Sequence, residues 1–255
     1  MPYGASIFIA MPGTSIPFHQ FNKFSEIVFF TGAGISSESG ISTFRDPEGY
    51  WAKHDPMQLA SRQGFKADPE LVLSWYGDRR ASIRNTQPNA GHLAITNFQK
   101  LFQNSLVITQ NVDGLHTDAG NDPVLELHGN IHKHKCLECG TPINVIETQE
   151  RSLNICTCGG WVRPDVVWFG EMLPMEILNA AYSAIESCEL FFSIGTSTQV
   201  YPAAQLPFDA QRQGAYVIEI NPDPTPFSSM ADLSLRELAG TALPKLYEEF
   251  YAGLS

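Results

Sequence analysis

Four short apolar runs, 27–30, 106–109, 190–194 and 216–220, each stop at a turn of small or polar residues: TGAG, QNVDG, GTST and NPDP. Helical patterns lie between them at 90–102, 175–187, 203–213 and 244–252; the first reads AGHLAITNFQKLF, apolar at helical spacing. Strands that alternate with helices bury their apolar surface in a parallel sheet covered on both faces, so the expected fold class is α/β. Ligands bind such sheets beyond the carboxyl ends of the strands, and the four turns all leave that edge. They are expected to be neighbours in space although they are far apart in sequence.

Two segments interrupt the alternation. Residues 46–87 are polar and aromatic, with helical pieces and no clear strand, and a second stretch holds CLECG and CTCGG. The pairs Cys136/Cys139 and Cys156/Cys158 can close a tetrahedral zinc site, and the glycine after each pair permits the turn. Four sulfurs leave no open position for water, so a zinc ion here is structural, and its removal is expected to unfold the segment around it. His132 or His134, beside Cys136, could replace one cysteine as a ligand. Cys188, in AIESCELFF, reads as a buried small residue. The expected organisation is a discontinuous sheet domain of residues 1–45, 88–131 and 164–255, with a helical insert 46–87 and a zinc-binding insert 132–163 forming a smaller lobe.

The 255 residues suit one large domain with such an insert, and 43% hydrophobic residues suffice for a sizeable core. A formal net charge of -11 argues against a general nucleic-acid binder. No apolar run approaches the ~18 residues of a membrane helix, so no membrane partner is expected. The amino-terminal stretch lacks the basic start of a secretory signal, its first lysine being Lys23, and a cytoplasmic location is expected.

Gly32 and Gly34, straight after the first apolar run, suggest a loop that offers backbone N–H groups to a phosphate, although position 37 holds Ser37 where a dinucleotide fingerprint has a third glycine. Gly195, Thr196 and Ser197 follow one strand and Asn221, Pro222 and Asp223 another, leaving room for ribose and phosphate. Any one of these turns could need its glycine or asparagine for backbone reasons alone. Gln110, Asn111 and Asp113 end a further strand, and LELHGN places His128 just before the cysteine insert. An imidazole with a pKa near 6.5 suits general-base work at neutral pH.

TGAGISSESGISTFR, TQNVDGLH, LHGN, CLECG…CTCGG, RPDVVWFGE, IGTS and INPD stand in the order, and at roughly the distances, seen in sirtuins. The chain resembles that family, the NAD-dependent protein lysine deacylases, over about residues 26–246, and in particular its bacterial members. The resemblance implies a Rossmann-like domain and a small zinc domain, with NAD and an acyl-lysine peptide between them. It implies that Gly32, Ala33 and Gly34 bind the NAD phosphates and that Phe44, Arg45 and Trp51 belong to a loop covering nicotinamide and ribose. Gln110, Asn111, Val112 and Asp113 would line the nicotinamide–ribose pocket, with Asn111 also catalytic, and His128 would be the general base. Gly195, Thr196, Pro222 and Asp223 would also bind the cofactor, Ser197 and Asn221 would reach the adenosine side, and Ala239 would border the adenine. Val167, Phe169, Gly170 and Glu171 would flank a peptide that adds as a strand. In the implied reaction the acyl oxygen attacks the nicotinamide ribose, nicotinamide leaves, and His128 takes a proton from the ribose hydroxyls. The ribose 2′-oxygen then attacks the acyl carbon and water completes the reaction, so that the products are free lysine, nicotinamide and O-acyl-ADP-ribose.

LSWYGDRRAS places Tyr76 and Arg79 three apart, on one face of a helix. A guanidinium forks onto a carboxylate and a phenol adds a donor, and the pattern resembles the sirtuin class that removes succinyl and malonyl groups. Arg80 is expected to turn away. Rival readings are an NAD hydrolase or mono-ADP-ribosyltransferase on the same scaffold, and a non-enzymatic NAD- and zinc-binding module. A hydride-transferring dehydrogenase fits less well, because no acidic residue ends a strand about 20 residues after the glycine loop.

Overall fold

The computed structural model describes residues 8–9, 24–43 and 55–253. Its strands are β1 (Phe8–Ile9), β2 (Ile27–Thr31), β3 (Ser105–Thr109), β4 (Val124–Glu126), β5 (Gly129–Cys136), β6 (Val162–Val166), β7 (Leu190–Ile194), β8 (Tyr216–Ile220) and β9 (Leu233–Leu235). The helices are α1 (Pro56–Leu59), α2 (Arg62–Ala67), α3 (Pro69–Arg84), α4 (Ala90–Leu101), α5 (Leu115–Asp118), α6 (Met175–Ser187), α7 (Leu206–Arg212) and α8 (Ala239–Gly253). Seven strands form one sheet in the order β1-β9-β8-β7-β2-β3-β4, with every pairing parallel. From β2 the chain runs outward through β3 and β4, then returns to the other side of β2 and continues through β7, β8 and β9. The strand order therefore reverses beside β2, where open α/β sheets hold their ligands.

β2 and β7 are buried along their whole length because both faces are covered. Ile27 and Phe29 of β2, with Phe192 of β7, pack against Ile95 and Phe98 of α4 and Leu243 and Phe250 of α8. Val28, Phe30 and Phe191 face the opposite layer, with Ile185 of α6 and Leu206 and Ala210 of α7. Phe29 and Phe192 stack with ring centroids 4.8 Å apart across the β2–β7 pair.

The expected α/β architecture is present, with local differences. Residues 203–213 divide into a 3-10 turn, Ala203–Gln205, and α7. The last helix starts at Ala239 rather than at the proline, so Pro244 lies inside it and one backbone hydrogen bond is missing. Residues 55–84 form two short helices and the 16-residue α3, each opened by an aspartate or serine whose side chain accepts a backbone N–H. A third core cluster joins Phe65, Val72, Trp75 and Tyr76 of these helices to Ile131 and Val166 of an antiparallel β5–β6 ribbon. The ribbon pairs from Gly129 to Val166, a few residues beyond 132–163 on both sides.

Candidate active site

The four strand exits do meet. Thr31 pairs with Thr109 on one side and Ile194 on the other, and Ile194 pairs with Ile220. Gly32 N–H donates to the Ile194 carbonyl at 2.9 Å, and Gly34 N–H to the Gly195 carbonyl at 2.8 Å. A Cβ on Gly34 would lie 2.7 Å from Gly195 Cα, and one on Gly32 2.8 Å from Thr196 Cα. The expectation that these glycines hold out N–H groups to a phosphate is corrected here: both amides are bonded to the neighbouring loop, and the missing side chains let two loops touch. Ala33 stands between them at the start of the 3-10 turn Ala33–Ser39.

The Gln110 side chain donates to Thr196 Oγ1 at 2.8 Å and joins the same pair of exits. Asn221 braces the fourth, donating to the Thr196 carbonyl at 2.9 Å and accepting the Asp223 N–H. Ser197 is half-buried, Pro222 and Asp223 are exposed, and Ala239 is buried at the start of α8. Phe44, Arg45 and Trp51 lie outside the described residues.

A polar chain crosses this edge. Asn111 Nδ2 donates to Ser36 Oγ at 3.1 Å, and the Ser36 hydroxyl donates to Asp113 Oδ2 at 2.8 Å. The other Asp113 oxygen accepts the Leu115 N–H, so the carboxylate is held at both ends. Ser36 was not singled out as a site residue from the sequence; its place in a run of three hydroxyl residues after the glycine turn was the available signal. Val112 is tied to the ribbon, its carbonyl accepting the Ile131 N–H at 2.8 Å. Beneath, Thr109 Oγ1 accepts the Asn111 N–H, the Thr31 and Thr109 hydroxyls are 2.8 Å apart, and Thr31 Oγ1 is 2.9 Å from Nε2 of the buried His116.

His128 is positioned by its neighbours on both sides. Its carbonyl accepts the Val167 N–H at 2.8 Å, and Gly129 at φ +78 turns the chain where a Cβ would lie 2.2 Å from the Asp165 carbonyl. Its Nδ1 is 2.9 Å from the Gln110 carbonyl, which can only accept, so Nδ1 carries the proton. Nε2 then bears the lone pair. Burial pushes the imidazole pKa below 6.5, against the smaller opposing effect of the Gln110 hydrogen bond. His128 is thus a neutral base of fixed tautomer.

The residues expected around the substrate lie apart from one another in environment. Val167 is half-buried, while Phe169 is 45% exposed and its N–H donates to the Ala60 carbonyl, tying the segment to the end of α1. Gly170 is exposed at φ +82. Glu171 turns inward: Arg163 approaches its two oxygens at 2.5 and 3.1 Å, and Oε2 also accepts the Trp168 N–H. Burial alone would raise the Glu171 pKa, but the Arg163 pairing holds it below the usual carboxylate range. Glu171 thereby braces the segment that carries Val167 and Phe169. Tyr76 is buried with its ring against Trp75 and Trp168, and the Arg79 guanidinium lies over the Trp75 ring at 5.4 Å. Arg80 does turn away, into a buried ion pair with Glu150.

The four paired cysteines converge, with all their sulfurs within 4.8 Å of one another. Sγ separations of 3.5 Å (Cys136–Cys158 and Cys139–Cys158) and 3.8 Å (Cys139–Cys156) compare with about 3.8 Å for sulfurs about 2.3 Å from a tetrahedral zinc. Gly160 is required beside them, since its Cβ would lie 2.7 Å from Cys136 Sγ. Neither histidine joins the cluster; His132 Nε2 instead lies 3.1 Å from the Asp113 carbonyl, to which it donates.

The family model described as the Sir2 family matches residues 32–202. The chain belongs to the Sir2 family. A protein named NAD-dependent protein deacylase from Aquifex aeolicus is 48% identical to this Sir2-family chain over 229 residues, 87% of this chain and 94% of that one. One of the same name from Mycobacterium tuberculosis strain H37Ra is 46% identical, covering 89% of this chain and 98% of its own. Among solved structures, a Sir2 homologue complexed with NAD superposes with a TM-score of 0.87 at 40% identity, covering 93% of this chain and 94% of that one. A Sir2 complex with a p53 peptide and NAD+ gives a TM-score of 0.79 at 31% identity, covering 92% of this chain and 96% of that one.

Proposed function

We infer that this Sir2-family chain is an NAD-dependent protein deacylase that acts on acyl-lysine side chains and yields free lysine, nicotinamide and O-acyl-ADP-ribose. One observation carries the reading furthest: a neutral imidazole, His128, held by Gln110 at the strand edge that also bears the Asn111–Ser36–Asp113 chain. NAD, when bound, supplies a glycosidic bond that breaks to release nicotinamide and a ribose that takes the acyl group. Asn111 and Asp113 orient the nicotinamide ribose and its amide, with Ser36 fixing the angle between them. His128 accepts the ribose hydroxyl proton at Nε2. Ala33 N–H and Thr196 face the phosphates, and Ser197 and Asn221 the adenosine. Phe169, exposed beside Val167, lines the peptide groove.

Cys136, Cys139, Cys156 and Cys158 would hold a structural zinc ion, which the sulfur spacing fits. Tyr76 and Arg79 extend the reading to acidic acyl groups, so that succinyl- and malonyl-lysine are substrates beside acetyl-lysine. No helix among the described residues is long and apolar enough to cross a membrane.

The test gives purified protein NAD and one lysine peptide in unmodified, acetylated and succinylated forms, with products followed by mass spectrometry. Acyl-dependent nicotinamide release with O-acyl-ADP-ribose supports deacylation. Equal release without an acyl group would instead favour an NAD hydrolase.

A further inference from the structure

Trp168 has no role in the chemistry described so far, yet its side chain is held from several sides. The side chain is 1% exposed, and the Arg163 guanidinium carbon lies 3.3 Å over its ring. Arg163 is fixed in turn by Glu171 and by a hydrogen bond to the Val166 carbonyl. Phe65 packs against the indole at 5.3 Å, and Glu171 accepts the Trp168 backbone N–H at 2.9 Å. With the ring locked, its one donor has one direction. Nε1–H donates to the Tyr76 hydroxyl oxygen at 2.9 Å.

A phenol has one proton and an oxygen that can accept. The indole N–H occupies the accepting side, so the phenolic hydrogen must point elsewhere, and an oxygen that accepts a hydrogen bond becomes a better donor. Burial raises the Tyr76 pKa, which keeps that hydrogen in place at neutral pH. Tyr76 and Arg79 sit one helical turn apart on α3, so a donor fixed at Tyr76 acts beside the Arg79 guanidinium.

We propose that Trp168 is a positioning residue for acyl specificity: its indole N–H aims the Tyr76 hydroxyl so that Tyr76 and Arg79 together receive the carboxylate of an acidic acyl chain. The proposal rests on the reading of Tyr76 and Arg79 as the acidic-acyl site. A neutral acetyl group has no carboxylate to meet the hydroxyl, so the effect belongs to the ratio of the two activities. A residue that merely filled the core would change both together.

The experiment measures kcat and KM on acetylated and succinylated forms of one peptide at saturating NAD. The variants are Trp168→Phe, Trp168→3-benzothienylalanine (which keeps the bicyclic shape without the N–H), Tyr76→Phe, Arg79→Met and the Trp168/Tyr76 doubles. Each Trp168 variant should lower the succinyl-to-acetyl ratio of kcat/KM by about tenfold, the worth of one hydrogen bond serving a charged group. The loss should lie in KM for the succinyl peptide. In the Tyr76→Phe background the Trp168 changes should lower the ratio no further. An unchanged ratio in the benzothienyl variant, an equal fall in both activities, or fully multiplicative losses in the doubles overturns the proposal. A ratio that falls in Arg79→Met but not in the Trp168 variants sinks the proposal alone. A ratio unmoved by Arg79→Met, or a wild type inactive on the succinyl peptide, sinks the acidic-acyl reading and the proposal with it.

Discussion

Arg80 and Glu150, 70 positions apart, form a buried ion pair with Nε 3.2 Å from Oε2 and side chains 0% and 7% exposed. Arg80 also donates to the Glu150 and Ile131 carbonyls, and Arg84 reaches the second Glu150 oxygen at 2.7 Å. The pair ties α3 to the segment between the two cysteine pairs. Glu150→Gln keeps the shape and leaves the buried guanidinium without its counter-charge, so about 3 kcal/mol of stability should be lost in urea denaturation. Burial would raise the Glu150 pKa, but the Arg84 and Arg80 guanidiniums hold it below 4.5. A depressed carboxylate stabilises above its unfolded pKa and loses that contribution as pH falls through the folded one. The gap between wild type and variant should therefore close at acid pH; a gap constant down to acid denaturation would count against the pairing.

His128→Ala should reduce deacylation by at least about a hundredfold with the fold intact by circular dichroism. Because burial depresses the His128 pKa, the base form persists to lower pH than for a free imidazole. The acid limb of kcat/KM in the wild type should turn below 6.5. A midpoint above that value would show that the titrating group lies elsewhere.

Gly34→Ala should damage NAD binding by distorting the loops. The new Cβ would lie 2.7 Å from Gly195 Cα, backbone that cannot rotate away. The expected result is a raised KM for NAD, by about tenfold or more, with sheet content retained. An unchanged KM would mean that the two exits separate at little cost.

Zinc content should be one ion per chain by elemental analysis, and Cys156→Ser should abolish it. The cluster around the cysteines has few apolar partners, Cys136, Cys156 and Val162 with Ile143 and Val145 beside them. Chelation should therefore speed amide exchange over residues 136–162 while the parallel sheet stays protected. Exchange that rose uniformly would place the metal's influence on the whole molecule.

Arg79→Met should lower succinyl removal relative to acetyl removal by about a hundredfold, as expected for loss of a charge-assisted contact to a carboxylate. Loss of both activities in proportion would return Arg79 to a packing role over Trp75.

The sheet was legible because β2, β3, β7 and β8 are five-residue, predominantly apolar runs closed by turn residues. β4 (VLE) and β9 (LSL) are three residues long and mix polar with apolar positions, too short to show a period. The cysteine spacing identified the cluster, whereas the bonds of Gly32, Gly34 and Glu171 were hidden. Whether a backbone amide is free depends on which loop lies opposite, and Gly195 is far from Gly34 in sequence. Ser36 was missed for the same reason, since its partners Asn111 and Asp113 are more than 70 positions away. The partners of Tyr76 and Trp168, 92 positions apart, likewise come together only through the third core cluster.

The position of β2 between β3 and β7 has a consequence for synthesis. Its two neighbours leave the ribosome at very different times, and Gly34 meets Gly195 only after the second has emerged. A nascent chain that has reached Ser187 can zip β2 to β3 but still shows a bare hydrophobic edge where β7 will dock. That interval is when such an edge invites wrong pairing and when a chaperone would have something to hold. A truncation between β6 and β7 would leave a chain with His128 and Asn111 intact and no second wall to complete the nucleotide edge.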